Sequence, residues 1–325
     1  MRNHVMIVGS GMMGSSIGAM AALAGNPTIL VDVDEGRCRK VLESALNCIA
    51  LREENGLHSH EAAEKARKLL NISTNLETSA EKTRLVIEAI MENLPAKQDM
   101  FQKLDALLPE DVPICSNTSG LQITKIAEKC QHPERTLTTH FWLPGHLVPL
   151  VEVVMGDQTS RTVAENVLSE LKGWKKAPVL VTRDLPGQLA NRIFQAIIRE
   201  SIAIVASGLA SAEDVDTAIS CGMAMRFPVW GPLMHLDAIG LDLGLSVQDS
   251  VLPDISHEQT ANDYLRQLVA DGKTGANVGE GFYDWHQYDI ELRKKMRDAF
   301  IIESVKAKDK IDHMKNEGGQ SNESV

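Results

Sequence analysis

Near its amino terminus the chain reads Gly9-Ser10-Gly11-Met12-Met13-Gly14, between the apolar run 5–8 and a stretch of small residues. Three glycines at this spacing, after a strand and at the start of a helix, leave few folds open. Gly9 permits a tight turn, Gly11 lets a pyrophosphate approach the backbone, and Gly14 lets helix and strand pack closely. The helix start, with Met12 and Met13 in its first turn, offers unpaired N–H groups and positive partial charge to phosphates. Asp32 ends the next β-rich run, 18 residues past Gly14. A carboxylate there accepts hydrogen bonds from the adenosine ribose hydroxyls and repels a 2′-phosphate. NAD is therefore favoured over NADP, although Arg37 is near enough in sequence to bear on that choice.

The rest of the first half fits such a unit. Strands are predicted at 5–8, 28–31, 84–89, 113–116, 137–141, 150–154 and 179–181, with helices at 36–54, 62–70, 97–108 and 161–171 between them. This alternation indicates a doubly wound, mostly parallel sheet, a Rossmann-like α/β domain over residues 1–185. Residues 35–70 add two helices where a minimal nucleotide fold returns at once to the sheet. They read as a helical hairpin projecting from the domain, broken at Asn55-Gly56, with Ser59 capping its second helix. His58 and His60 fall in that break and lack a third ligand nearby, so they read as a solvated loop and no metal is expected. Beyond Asp184-Leu185-Pro186-Gly187 no strand pattern appears. Helices at 188–207, 212–221, 233–251, 261–270 and 290–306 define an all-α domain over 186–312, and the polar residues 313–325 are expected to be disordered.

Composition narrows the partners. A chain of 325 residues with 43% apolar and 24% charged residues suits two globular domains. A net charge of -11 argues against nucleic acid and anionic membranes. Residues 5–31 carry no charge, but five glycines and three serines make them a strand, turn and helix, not a signal peptide or membrane span. Five cysteines without a CxxC pair suit reduced thiols in the cytoplasm.

Two further segments carry candidate chemistry. His140 ends a β-rich run, at the sheet edge where open α/β sheets place ligands. Glu152 lies twelve residues on, flanked by four apolar residues, and needs a partner if buried. A His–Glu pair meets that need: the carboxylate fixes one ring nitrogen, and the other can take a proton from an alcohol. Taken alone, a histidine such as His140 is more often structural; the glycine fingerprint upstream shifts the balance toward a base. The run Ser116-Asn117-Thr118-Ser119-Gly120 either caps the following helix or sets a hydroxyl against a substrate oxygen. Asn191, early in the first helix past the junction, either faces a ligand or is a surface residue.

Together with Glu88-Ala89-Ile90-Met91-Glu92-Asn93, Pro149-Leu150-Val151-Glu152-Val153, Pro186-Gly187, Asn191-Arg192, Gly231-Pro232 and Gly279-Glu280-Gly281-Phe282-Tyr283, these motifs make the chain resemble the short-chain L-3-hydroxyacyl-CoA dehydrogenases and their relatives acting on L-gulonate and L-carnitine, from about Val5 to Trp285. The resemblance implies NAD as cofactor, His140 as general base and Glu152 as its orienting partner. Ser119 and Asn191 would hold the substrate's reacting oxygen and the nicotinamide end. Glu92, Lys97 and Asn117 match positions near the cofactor. It also implies a homodimer formed through the helical domain, and a role in fatty acid metabolism.

The chain departs from the acyl-CoA pattern His-Phe-Phe-Asn-Pro, reading His140-Phe141-Trp142-Leu143-Pro144. The hairpin reads Arg52-Glu53-Glu54-Asn55 where acyl-CoA enzymes tend to carry lysines, although Lys65, Arg67 and Lys68 offer cations for CoA phosphates. Arg226 resembles relatives acting on free hydroxy acids; it either grips a carboxylate or is a helix-end arginine on the surface. Three readings stay open: oxidation of an L-3-hydroxyacyl-CoA, oxidation of a free 3-hydroxy acid, and dinucleotide binding without catalysis.

Overall fold

The structure is a computed structural model that describes residues 2–319. Contacts divide the chain into two compact units, Met1–Ala190 and Asn191–Val325, a boundary slightly later than the expected 185.

The first unit runs β1 (His4–Val8), α1 (Met12–Leu23), β2 (Thr28–Val31), α2 (Glu35–Glu54), α3 (His60–Leu69), β3 (Leu70–Ser73), α4 (Leu76–Ala80), β4 (Thr83–Glu88), α5 (Leu94–Leu107), β5 (Ile114–Ser116), α6 (Ile123–Ile126), β6 (Thr136–Phe141), β7 (Leu150–Met155), α7 (Arg161–Gly173) and β8 (Ala177–Val181). The strands form one sheet in the order β3-β2-β1-β4-β5-β6-β7-β8. Every pairing is parallel except β6 with β7. The chain moves outward on one side of β1 and then returns to its other side through β4. That reversal puts the carboxyl ends of β1 and β4 at the switch point, where doubly wound sheets bind ligands.

Both faces of the sheet are covered, which is why its strands read as apolar runs. Side chains alternate between two cores, as a period of two requires. Val5 and Ile7 pack with Ile17 and Met20 of α1, whereas Met6 and Val8 pack with Phe101 and Leu104 of α5. Each such side chain removed from water contributes about 1.5–3 kcal/mol.

Two expectations change here. β3 falls where the helix pattern was read through residue 70: α3 stops at Leu69 and four residues pair with β2. The hairpin does not project. Val41, Ala45 and Ile49 of α2 and Ala63 and Ala66 of α3 belong to the same core as α1. Its caps are the polar side chains at each start: Asp34 accepts from Arg37 N at 2.8 Å, and Ser59 from Ala62 N at 3.2 Å.

The second unit is helical: α8 (Ala190–Ala206), α9 (Ala212–Thr217), α10 (Pro232–Ile239), α11 (Leu241–Val251), α12 (Asp263–Ala270) and α13 (Ile290–Gly319), with a π-helical turn over Ala218–Met223. The single helix expected over 233–251 breaks at Gly240, whose φ is +101°. α13 continues past residue 306 to Gly319, into the segment expected to be disordered; residues 320–325 of that segment lie outside the described residues. Among the described residues of this unit, Val215 and Ile302 are the only buried apolar side chains larger than glycine. No described helix is long and apolar enough to cross a membrane.

Candidate active site

The glycine turn is built as its spacing predicts. Gly9 has φ +117°, and a Cβ there would stand 2.5 Å from the Ala89 carbonyl oxygen. A Cβ on Gly14 would meet the Gly9 carbonyl oxygen at 2.1 Å, whereas one on Gly11 would meet nothing within 4 Å. The start of α1 has no side-chain cap, so its first N–H groups stay open to a ligand. Met12, in that first turn, is exposed, and Met13 packs against the core.

Asp32 Oδ2 accepts from Ser10 N at 3.0 Å, which fixes the carboxylate beside the turn. Its Oδ1 is buried without a hydrogen-bond partner; the nearest cation, Arg37 Nη1, is 3.9 Å away. An acceptor left open beside the glycine turn suits the ribose hydroxyls of a dinucleotide. These residues fit NAD.

His140 and Glu152 are brought together by register. They are directly opposed on the antiparallel β6–β7 ladder, and His140 Nδ1 lies 2.8 Å from Glu152 Oε2. Glu152 is fully buried and accepts three more hydrogen bonds, from Trp142 Nε1 at 3.0 Å, Leu189 N at 2.9 Å and Ala190 N at 2.8 Å. Burial alone would push its pKa up, but the four donors outweigh that and hold it at about 2. An ionised carboxylate keeps the proton on Nδ1. Nε2 is then a lone-pair acceptor, able to take a proton from an alcohol.

Residues expected near the cofactor form a second network at the ends of β4 and β5. Thr118 Oγ1 donates to Glu92 Oε1 at 2.6 Å, joined by the backbone N–H groups of Ser119 and Gly120 at 3.2 and 3.1 Å. Burial opposes ionisation of Glu92, but these donors and the Lys97 charge hold its pKa below the usual range. Ser119 itself is exposed. Asn117 Oδ1 accepts from Phe141 N at 2.9 Å, tying this loop to the strand that carries His140. Lys97 is withdrawn from the surface: it is 1% exposed, and its Nζ donates to Glu88 Oε1 at 2.7 Å. Asn191 and Arg226 belong to the second unit, and among its described residues the Arg226 guanidinium has no ion-pair partner.

Several residues here carry no signal that was read in the sequence. Glu88 is fully buried and collects Lys97 Nζ, Ser116 Oγ at 2.7 Å and Ile90 N at 2.6 Å. An acid closing an apolar strand was the available clue. Arg52 donates to His146 O and, at 3.1 Å, to His58 Nδ1, linking the hairpin to the β6–β7 loop. His58 is therefore not a solvated loop residue; burial, then the charges of Arg52 and Lys175, push its pKa down to about 4. His60 is exposed against Glu53, and no group of three metal-ligating side chains occurs among the described residues. Lys176 Nζ binds the carbonyls of Gly145 and, at 2.9 Å, Val148 in the same loop.

A doubly wound sheet with this turn, an open acid at the end of β2 and a buried imidazole–carboxylate pair defines an NAD-dependent oxidoreductase acting on CH–OH groups. The 3-hydroxyacyl-CoA dehydrogenase NAD-binding domain matches residues 4–185, and the C-terminal domain of the same family matches residues 187–285. The chain is 35% identical over 294 residues to the human mitochondrial hydroxyacyl-coenzyme A dehydrogenase, covering 87% of this chain and 91% of that one. It is 36% identical over 287 residues to a probable 3-hydroxybutyryl-CoA dehydrogenase of Bacillus subtilis, covering 87% and 98%. The solved structure of 5-formyl-3-hydroxy-2-methylpyridine 4-carboxylic acid 5-dehydrogenase, an NAD+-dependent dismutase, superimposes with TM-score 0.85 at 26% identity, over 95% of this chain and 99% of that one. The chain belongs to the 3-hydroxyacyl-CoA dehydrogenase family.

Proposed function

We propose that the protein interconverts an L-3-hydroxyacyl-CoA and its 3-oxo form, with His140 as the general base. The observation that carries this reading is the buried His140–Glu152 pair in a chain of this family. NAD supplies the hydride acceptor when bound. His140 Nε2 takes the hydroxyl proton as the carbonyl forms, and Glu152, ionised in the resting site, stabilises the resulting imidazolium. In reduction the same nitrogen returns the proton. Ser119 is assigned to the substrate oxygen. For Asn191 the assignment rests on family resemblance alone. The identity to hydroxyacyl-CoA dehydrogenases supports the thioester and a place in fatty acid metabolism.

A second reading is a free hydroxy acid. It is favoured by the hairpin, where Arg52 is engaged with His146 and His58, and Arg67 with Glu53 and Glu64. These cations are committed to the protein and not to CoA phosphates, while Arg226 offers an open guanidinium for a carboxylate. The test runs NADH oxidation with acetoacetyl-CoA beside NAD reduction by L-gulonate, L-carnitine and free 3-hydroxybutyrate. Turnover confined to the thioester supports the first reading; turnover confined to a free acid replaces it. In either case His140→Ala is expected to lower kcat by about a hundredfold or more, and an unchanged kcat removes His140 from the mechanism.

The helical unit supports a homodimer. It holds almost no interior, exposes Ile193, Leu245 and Phe300, and contains an apolar groove of about 580 Å³ lined in part by Ile198, Ile202, Leu265 and Trp285. Free cysteines throughout suit the cytoplasm.

A further inference from the structure

Glu152 Oε2 serves two donors at once. His140 Nδ1 lies 2.8 Å from it and Trp142 Nε1 3.0 Å, with the two rings 5.8 Å apart between centroids and tilted by 51°. The other oxygen, Oε1, is occupied by the backbone N–H groups of Leu189 and Ala190. Strand alternation turns Val151 and Val153 into the core with α7, so Glu152 points to the opposite face. The neighbouring strand β8 brings no charged side chain, and the donors to this carboxylate are the His140 imidazole, the Trp142 indole and two backbone N–H groups. What the imidazole experiences is therefore governed by how much of the carboxylate's charge the indole draws off.

We propose that Trp142 is a positioning residue that sets the proton affinity of His140 by sharing Glu152 Oε2 with it. The proposal rests on the reading of His140 as the base. A carboxylate oxygen with two donors gives each a weaker bond than it would give one alone, and charge-assisted bonds are the ones most affected. The site is buried, so water does not screen the competition. The indole thus keeps the imidazolium less stable than a lone His–Glu pair would, and the base stays neutral to lower pH. It also pins the carboxylate in the plane that faces Nδ1. A phenylalanine at this position fills similar space but has no donor, so it separates the two effects of the indole, packing and hydrogen bonding.

The experiment titrates the His140 ring by NMR in wild type and Trp142→Phe, both labelled with nitrogen-15 in histidine, the His140 signal being identified by its loss in His140→Ala. Trp142→Phe is expected to raise the His140 midpoint by roughly half a unit or more, and to move the acid limb of kcat/KM for alcohol oxidation by the same amount. Well below the midpoint that is a loss of about threefold in rate. A midpoint equal to that of wild type overturns the proposal and leaves Trp142 a packing residue. Should Trp142→Phe not fold, the wild-type protein decides: the assigned Trp142 indole N–H resonance must titrate with the same midpoint as His140, and a resonance that ignores it overturns the proposal. If His140→Ala keeps full turnover, the catalytic reading falls, while the ring titration still decides whether Trp142 tunes the pair.

Discussion

Two glycines three residues apart, Gly11 and Gly14, have opposite tolerances. Gly14 has no room, since a Cβ would sit 2.1 Å from the backbone oxygen of Gly9, while Gly11 faces open space. Gly14→Ala is expected to cost about 1–3 kcal/mol of stability along with cofactor binding, because backbone must move. Gly11→Ala is expected to melt like wild type yet bind NAD at least about tenfold more weakly, because its methyl occupies the phosphate approach. Denaturant titration and NADH fluorescence titration measure the two effects; equal losses of stability in both variants would contradict this account. The glycine turn, Asp32 and the His140–Glu152 pair were legible in the sequence because each has a local signature, either a spacing or a polar group stranded among apolar neighbours. Arg52 and Lys176 were not, because they serve backbone carbonyls of a loop far along the chain, and such acceptors leave no mark on composition.

At the scale of elements, the loop 142–149 between β6 and β7 is held from two sides, by Arg52 of α2 and by Lys176 just before β8. Among the described residues Lys176 has no carboxylate partner; burial, with the charge of Arg52 adding to it, pushes its pKa down to about 7. The unfolded chain holds that proton up to about 10.4, so between these values the unfolded state binds more protons and stability rises with pH. At pH 6 the folded protein carries the buried charge at full cost; near pH 9 it does not. Lys176→Met removes this dependence. It is therefore expected to destabilise more at pH 9 than at pH 6, as thermal melts at the two values would report; a constant difference would show that the lysine does not titrate in this range. The alternation of strands and helices was legible because both faces of the sheet demand apolar runs. β3 was hidden because its four residues continue the pattern of α3 without a break, and the hairpin's packing was hidden because alanine faces such as Ala63 and Ala66 carry a weak apolar signal.

For the whole molecule the two units differ in kind. The first has cores on both faces of its sheet, and the second has almost none of its own among the described residues. If the proposed dimer forms through this unit, it gains stability by association, and its melting temperature should rise with protein concentration. Light scattering at micromolar concentration should give twice the chain mass, and Leu245→Glu should lower both the mass and the melting temperature; a monomer of unchanged stability at every concentration would exclude the dimer. The antiparallel rung between His140 and Glu152 also divides what a lineage of such enzymes must keep from what it is free to alter. The proposed proton transfer depends on the ladder, where a slip of one residue would put the two groups on opposite faces. The loop that joins the two strands lies outside the ladder, so beyond Trp142, which reaches back to Glu152, its sequence can drift without moving the pair. Residues 143–149 are thus free to change in company with whatever packs against them, while the opposed pair keeps its register.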